Sequence, residues 1–352
     1  MSSELSESGA ADNRTYSPLT LAYDWPKISR LLFLVACSCI GTIMNGFFVA
    51  SFIVERSLRK VGNVFLACAG LADLIVTTVV MPTSAVVLLS GEWDVAPVCY
   101  FLHFLTESST YSYSFLFLFV AAENYYRVCR TPEEYKKFVS MKVGVVVSLI
   151  FTLSFVTAGV GVYYELDYDY CSRLHYGNFY FRAITTVLFH GVPCLFTFIG
   201  LLIAFVRVQR RARKQVQYKR SQLFDRDFTS TTLNLGAYGL FALAWTPYLI
   251  VVHEFPGTSD AKFYHSAYIG LSRSIISSFL YAFMNRNFRR AYAHLFNYCC
   301  CKSTLSGSFA SRHRRALEYR PATGDVRVHI MHQALNVNSP PRFYTVRETQ
   351  EL

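Results

Sequence analysis

Five ionisable side chains lie inside stretches of the chain that are otherwise apolar, and their chemistry needs an explanation. They are Asp73, Glu107, Arg182, His190 and Arg273. A charge in apolar surroundings is costly, so such groups are functional candidates that pair with each other or bind a ligand. They do not form a catalytic set, because the sequence shows no paired nucleophile and base, no metal-ligand spacing and no glycine-rich phosphate loop. The sequence therefore predicts binding or switching chemistry without a cofactor, and no enzyme.

Two of the five have a second interpretation. Arg182 is near the end of its apolar stretch, where a long side chain reaches out to the membrane surface, and the sequence favours that placement. His190 is compatible with a hydrogen-bonded core histidine as well as with a binding residue.

The composition shows what kind of protein must hold these groups. Of the 352 residues 53% are hydrophobic and 16% are charged, and the mean hydropathy is +0.27. Soluble domains carry about 25% charged residues. These values exclude an ordinary soluble domain, a disordered chain, collagen and a disulfide-stapled secreted module. They predict an all-α membrane protein.

Seven stretches are long and apolar enough to cross a bilayer as helices, which takes about 20 residues each. The sequence shows no internal repeat, and its buried charges cluster in one plane, so a transporter is only a distant alternative. The predicted spans are Ile28–Val54, Gly62–Ser90, Pro97–Val128, Met141–Tyr164, Phe179–Val208, Phe228–Glu254 and Phe263–Met284.

The basic residues predict the orientation of the bundle, residues 28–284. One set of connecting loops carries sixteen Lys and Arg residues and the opposite set carries two. By the positive-inside rule the N-terminal tail, residues 1–27, is extracellular, and the disordered tail, residues 302–352, is cytoplasmic. Asn13 then lies in an extracellular N-glycosylation sequon. The basic run 207–220 is expected either to bind anionic membrane lipids or acidic partner surfaces, or only to set the topology.

The segment after the last span, residues 285–301, alternates aromatic and basic residues and predicts a short amphipathic helix on the membrane surface. It ends in three consecutive cysteines, Cys299, Cys300 and Cys301. Their position favours S-palmitoylation, with free or buried thiols as the alternative.

Cys99 and Cys171 are the cysteines that this topology places on the oxidising side, so they are predicted to form a disulfide. The bond would fix the loop Glu165–Gly177 across the mouth of the bundle. A solvated loop and a ligand-contacting lid are equally compatible with its acidic, tyrosine-rich sequence.

Several motifs carry a resemblance to a known family. The matching residues are Asn45 in the first span, Asp73 in the second, Gly91-Glu92-Trp93 between the second and third, Pro193 in the fifth, Phe241, Trp245 and Pro247 in the sixth, and Tyr281 and Asn285–Arg289 at the end. From about residue 28 to residue 300 the chain resembles class A, rhodopsin-like, G-protein-coupled receptors. The phrases 59–65 and 285–292 are most similar to the melatonin-receptor-like branch.

The resemblance implies a plasma-membrane receptor that signals through a heterotrimeric G protein, with arrestin as a further partner. It also implies a switch in which Pro193 and Pro247 are hinges. The switch residues are Asn45, Asp73, Arg273, Glu123, Asn124, Tyr125, Phe241, Pro247 and Tyr281.

Three positions depart from the family pattern. Where the family has an acid-Arg-Tyr triplet, this chain has Glu123-Asn124-Tyr125; the Asn-Pro pair of the seventh span is Ser277-Ser278; and the fourth-span Trp is Phe151. Without the arginine, Glu123 loses its expected partner, unless Arg127 substitutes for it. An atypical, non-signalling receptor or scaffold is therefore the alternative function.

The resemblance also places a ligand pocket and narrows its ligand. Thr106 stands where amine receptors carry Asp, which argues against a biogenic-amine salt bridge there, and the seventh span has no Lys for a retinal Schiff base. We expect a small amphipathic or lipid-like extracellular ligand in a mostly apolar and aromatic lining. The predicted lining residues are Thr106, Glu107, Thr110, His190, Trp245 and Tyr248.

The last expectation concerns a cation. In most class A receptors the second-span Asp and polar groups of the seventh span hold a sodium ion. Arg273 stands about where one of those polar residues is expected, and a guanidinium facing Asp73 would form a charge-assisted pair. We therefore expect Arg273 to take the place of the ion, the alternative being a bond to a backbone carbonyl or water.

Overall fold

The computed structural model describes residues 27–90, 96–171, 177–253 and 260–301. The tails predicted for residues 1–27 and 302–352, apart from Lys27, lie outside the described residues. So do Asn13 and the motif Gly91-Glu92-Trp93. Within the described ranges the regular structure is entirely helical.

In the described part of the chain, seven helical segments of membrane-spanning length follow one another, two of them assembled from an α-helix, a π-helical turn and a second α-helix. The π-helical turns are Val76–Val80, between α2 and α3, and Val187–Gly191, between α7 and α8. The α-helices are α1 Lys27–Val54, α2 Val61–Ile75, α3 Met81–Ser90, α4 Ala96–Cys129, α5 Pro132–Val139, α6 Val143–Tyr163, α7 Phe179–Thr186, α8 Val192–Lys214, α9 Val216–Lys219, α10 Gln222–His253, α11 Asp260–Met284 and α12 Arg286–Cys301.

Five of the seven segments are both long and apolar enough to cross a membrane on composition alone, namely those built from α1, α2–α3, α6, α7–α8 and α10. Helices α4 and α11 have the length, with 34 and 25 residues, but are more polar. The polar residues of α4 include Ser108, Ser109, Ser112 and Ser114, which are buried against other helices. An interior helix of a bundle meets little lipid and so needs less apolar surface.

Helix α4 is the centre of the bundle and packs against α2, α6, α8 and α10. One apolar cluster surrounds it at the end that carries Cys99, which we call the disulfide end. A second cluster, around Phe117 and Tyr238, lies towards the end that carries Arg127, which we call the basic end. The polar residues predicted to form the switch lie between these two clusters or at the basic end.

Prolines explain both π-helical turns. Pro82 follows the turn Val76–Val80, and Pro193 follows the turn Val187–Gly191. A proline ring crowds the preceding helical turn and has no N–H to donate, and a wider turn relieves the crowding. Pro247 lies inside α10 without such a turn.

The helices extend beyond the predicted spans at the basic end. Helix α8 ends at Lys214 instead of Val208, and α10 begins at Gln222 instead of Phe228. Hydropathy indicates where the hydrocarbon layer ends, whereas a helix continues as long as its backbone bonds are satisfied. The extra helix α5 begins at a capping box in which Thr131 and Glu134 bond each other's backbone N–H groups.

Helix α12 matches the amphipathic helix predicted for residues 285–301. Phe288, Ala291 and Leu295 are buried on one face, and the first compact unit of the chain ends at Leu295. In the second unit Cys299 is an exposed free thiol. The side chains of Cys300 and Cys301 lie outside the described part, so palmitoylation stays a prediction.

Candidate ligand cavity and switch residues

The predicted disulfide between Cys99 and Cys171 is present and covers one end of the bundle. The two Cα atoms are 5.9 Å apart across a sequence separation of 72 residues. Beside the bond, Tyr168 is 5% exposed and its ring lies 5.6 Å from that of Phe263. The Tyr170 ring stacks on His103 at 5.3 Å. This part of the loop is therefore packed into the mouth of the bundle and is not a solvated loop.

Beneath this loop is a small cavity between α4, α7, the π-helical turn Val187–Gly191 and α10. The centres of water molecules can occupy a volume of about 20 Å³ in this cavity. That is room for one or two waters. A ligand would therefore need side chains to move apart. The lining residues are Glu107, Thr110, Tyr111, Asp167, Arg182, Thr185, Thr186, Phe189, His190, Trp245, Tyr248, Leu249, Val252 and His253.

Five of the six predicted pocket residues line this cavity, and Thr106 does not. Its hydroxyl donates to the carbonyl of Leu102 at 2.9 Å. One residue further along a helix points about 100° away, so Glu107 faces the cavity while Thr106 turns from it. Thr110, three residues after Glu107 and therefore close to its face of α4, also lines the cavity.

The lining is more polar than the sequence predicts, and Arg182 is the main reason. We expected this side chain to reach the membrane surface, but it is 6% exposed and donates to the backbone carbonyl of Val252 on α10. Asp167 from the loop and His253 from α10 also face the cavity. The carbonyl of Val252 is within hydrogen-bonding reach of the Arg182 guanidinium, so the side chain bonds it instead of extending to the membrane surface.

Glu107 is the buried carboxylate of the cavity. Its Oε1 atom lies 3.8 Å from Nε2 of His103, one turn earlier on α4. Across the cavity the Trp245 and Tyr248 rings lie 4.8 Å apart. The cavity thus combines an acid with an aromatic wall.

A glycine that sequence reasoning missed gives the Trp245 ring its space. A Cβ atom on Gly270 of α11 would lie 3.1 Å from Cε3 and Cζ3 of Trp245. That separation is too close for a side chain without movement of the ring. The sequence shows only a glycine inside an apolar stretch, which gives no signal of this contact.

Below the cavity Arg273 of α11 forms the predicted pair with Asp73 of α2. Its Nη1 atom donates to Oδ1 of Asp73 at 2.9 Å. Its Nη2 atom donates to Thr110 Oγ1 at 2.7 Å and to Ser109 Oγ at 3.5 Å, both on α4. Arg273 is 2% exposed and Asp73 is fully buried. One side chain therefore joins three helices.

Two further polar contacts hold α11 in place. The amide of Asn45 on α1 donates to the carbonyl of Ser274 at 2.8 Å. The Tyr113 hydroxyl of α4 bonds the Ser277 hydroxyl. The missing Asn-Pro pair of the seventh span is thus replaced in part by a serine that bonds α4.

At the basic end, Arg127 makes the charged contacts that the uncharged side chain of Asn124 cannot make. Its Nη2 atom donates to Asn124 Oδ1 at 2.5 Å, and to Ser230 Oγ on α10 at 3.2 Å. Its other nitrogens lie 3.5 Å from Glu123 Oε1 and 3.7 Å from Asp227 Oδ1 of α10. Arg127 therefore substitutes for the missing arginine as the charge partner of Glu123, which is the alternative that the sequence left open, because the i+4 position on a helix faces the same side.

Glu123 also accepts a hydrogen bond from Tyr135 on α5, at 3.0 Å. Burial, followed by the nearby Glu123 carboxylate, raises the pKa of Tyr135 to about 12. The phenol therefore stays protonated and donates at every physiological pH.

Of the other predicted switch residues, Phe241 and Tyr281 make contacts between helices and Tyr125 does not take part in them. Phe241 packs on Tyr113 with ring centroids 4.5 Å apart. The Tyr281 hydroxyl donates to Asn234 Oδ1 on α10. The Tyr125 ring lies outside the polar contacts, with the guanidinium of Arg130 at 5.4 Å from its centroid.

Comparison with known proteins agrees with this arrangement. Residues 44–285 match the family model described as "7 transmembrane receptor (rhodopsin family)". The chain is 21% identical to the melatonin receptor type 1B of Mus musculus and 24% identical to the melatonin receptor type 1A of Ovis aries. These similarities cover 82% of each chain in the first case, and 83% of this chain and 82% of the relative in the second. It is 25% identical to the histamine H2 receptor of Cavia porcellus over 71% of this chain and 73% of that receptor.

The family model spans more than half of the chain, and it describes receptors without enzymatic activity. The fold class and the branch predicted from the sequence are confirmed. The chain is a multi-pass membrane receptor of the rhodopsin family, in its melatonin-receptor-like branch.

Proposed function

We propose that this receptor binds a small amphipathic ligand from the extracellular side and signals through a heterotrimeric G protein at the plasma membrane. The observation that carries the proposal is a shared pair of residues. Thr110 and Trp245 line the cavity, and both contact Arg273, which is paired with Asp73. A ligand that moves either side chain acts directly on the contacts between α2, α4 and α11.

The lining favours a small amphipathic molecule over a lipid. Glu107, Asp167 and Arg182 place both signs of charge in the cavity, and Trp245 and Tyr248 offer aromatic surface. A ligand with one aromatic body and a few polar groups matches these residues, whereas a long acyl chain leaves the charged groups unpaired.

The proposed orientation has the disulfide end outside and the basic end in the cytosol. It is supported by the excess of Lys and Arg in the loops of the basic end, and by the oxidised pair at the opposite end. G protein, arrestin and anionic lipids would then meet the receptor at the basic end. The contacts of Arg127 supply the cation that the Glu123-Asn124-Tyr125 triplet lacks, which favours signalling over a silent scaffold.

The test is a ligand panel on cells that express the receptor, with G-protein dissociation and arrestin recruitment as readouts. Two matched variants locate the response, because Thr110→Val changes a cavity residue and Thr106→Val changes its neighbour outside the cavity. We expect the first to weaken any ligand response at least tenfold and the second to leave it unchanged. Equal effects of both variants would show that the ligand binds elsewhere. Ligand binding without G-protein dissociation would favour the non-signalling receptor.

A further inference from the structure

We propose that Arg273 is a built-in cation that occupies the place of a sodium ion between α2, α4 and α11. The resemblance to class A receptors implies a sodium site at Asp73. The side chains around Asp73 do not fit such a site, because the Arg273 guanidinium already lies 2.9 Å from its Oδ1 atom.

Three of the oxygens that could coordinate an ion here, one from Asp73 and two from hydroxyls, are already acceptors of Arg273. Sodium binds oxygen ligands, as other hard cations do. Near Asp73 the hydroxyls of Thr110 and Ser109 are such ligands, and Arg273 Nη2 donates to them at 2.7 Å and 3.5 Å. Two cations at one carboxylate repel each other strongly in a buried site. Arg273 and a sodium ion therefore exclude each other.

Aromatic rings favour the guanidinium over an ion at this place. The Arg273 Cζ atom lies 5.2 Å from the ring centroid of Trp245, 5.5 Å from that of Phe241 and 5.8 Å from that of Tyr113. Arginine is the side chain that most often combines carboxylate pairing with contacts to aromatic faces. Its burial, with 2% of the residue exposed, shows that the site is closed around it.

A covalently attached cation differs from a bound ion in one functional respect. A sodium ion leaves when its site opens, and its occupancy depends on salt. Arg273 stays attached to α11, so the tie between α2, α4 and α11 is independent of sodium. If the proposed function is right, a ligand that contacts Thr110 and Trp245 changes the contacts of Arg273 and not the occupancy of an exchangeable ion.

The experiment measures the apparent melting temperature of the purified full-length receptor in sodium chloride and in choline chloride at equal ionic strength. For the wild type we expect the same melting temperature in both salts. The variant Arg273→Ser removes the guanidinium and leaves the oxygens of Asp73, Ser109 and Thr110. We expect this variant to melt lower than the wild type in choline, and to gain a sodium-specific rise of several degrees, because an ion that binds the folded state stabilises it.

The control is the double variant Asp73→Asn with Arg273→Ser, which should lose the sodium-specific rise. A sodium-specific rise in the wild type would overturn the proposal, as would its absence in a folded Arg273→Ser variant. Should that variant not fold, the exchange Asp73→Arg with Arg273→Asp is compared with Asp73→Arg alone. Partial recovery of the melting temperature supports the pair, and no recovery contradicts it. These measurements need no ligand, so their failure is separate from a failure of the proposed function.

Discussion

Arg127 of α4 lies 3.7 Å from Asp227 of α10, Nε to Oδ1, and this contact joins the two helices at the basic end of the bundle. Both side chains are largely buried, at 13% and 10% exposure. Arg127 also reaches Ser230 on α10. A largely buried ion pair at this distance stabilises the state in which α4 and α10 lie together, which we call the closed state.

Loss of that contact should raise the basal activity of the receptor. The variant Asp227→Asn keeps the shape of the side chain and removes its charge. We expect the closed state to lose about 1 kcal/mol, the upper value for an ion pair that is not fully buried, which is about a fivefold shift of the equilibrium. Basal G-protein dissociation at matched surface expression measures it.

The chain offers a matched control on the same helix. Asp225 is exposed, two residues before Asp227. Asp225→Asn makes the same change of charge and should leave basal activity unchanged. If both variants behave alike, general electrostatics explains the effect and the Arg127–Asp227 contact does not.

The triplet residue Asn124 gives a second prediction. Its Oδ1 atom accepts from Arg127 at 2.5 Å and from Ser230 at 3.3 Å. Asn124→Arg would remove this acceptor and place a second guanidinium one turn from Arg127. We expect basal G-protein coupling to rise because the two cations repel each other and the α4–α10 contacts weaken. Unchanged basal and stimulated coupling in a surface-expressed variant would show that Asn124 has no part in the switch.

The disulfide gives a prediction about stability. In the chain-entropy account, closing the Cys99–Cys171 loop, with its separation of 72 residues, is worth about 4 kcal/mol. We expect Cys99→Ala and Cys171→Ala each to lower the melting temperature and the surface expression markedly, and the double variant to be no worse than either. Cys194→Ala, which changes a free and half-buried thiol, is the control and should have a small effect. Single variants as stable as Cys194→Ala would contradict the prediction.

The apolar composition of the chain and the membrane around it determine much of what can be predicted from this sequence. A stretch of about twenty apolar residues is expected to be a helix because a helix satisfies all its backbone polar groups within one segment in lipid. A buried charge such as Arg273 needs a partner, and Asp73 was the obvious one. Both expectations are consequences of burial, which the sequence pattern shows directly.

Other features depend on distances between helices, which a sequence pattern does not show. Arg182 bonds a carbonyl on α10 that is 70 residues away in sequence. Arg127, and not residue 124, is the side chain that bridges α4 and α10. This depends on where Asp227 and Ser230 of α10 approach α4. The polar character of the cavity likewise comes from Asp167 of the loop and His253 of α10, whose positions follow from the packing.

The last prediction concerns the space beside the Trp245 ring. Gly270→Ala would place a Cβ atom 3.1 Å from Cε3 and Cζ3 of Trp245 and 3.6 Å from Cβ of Tyr248. The ring must move by a few tenths of an ångström away from Gly270, which changes its contact with the Arg273 guanidinium, 5.2 Å from its centroid. Crowding of this kind costs about 1 kcal/mol or more. We therefore expect a lower melting temperature and a higher basal activity, because α10 is less tightly held to α11.

The matched control is Gly236→Ala on α10, where a Cβ atom would have no neighbour within 4 Å. Alanine is the better helix former, by up to about 1 kcal/mol, so this variant should be as stable as the wild type or slightly more stable. Its basal G-protein activity should not change. If Gly270→Ala matches Gly236→Ala in both melting temperature and basal activity, the position of the Trp245 ring does not control the contact between α10 and α11.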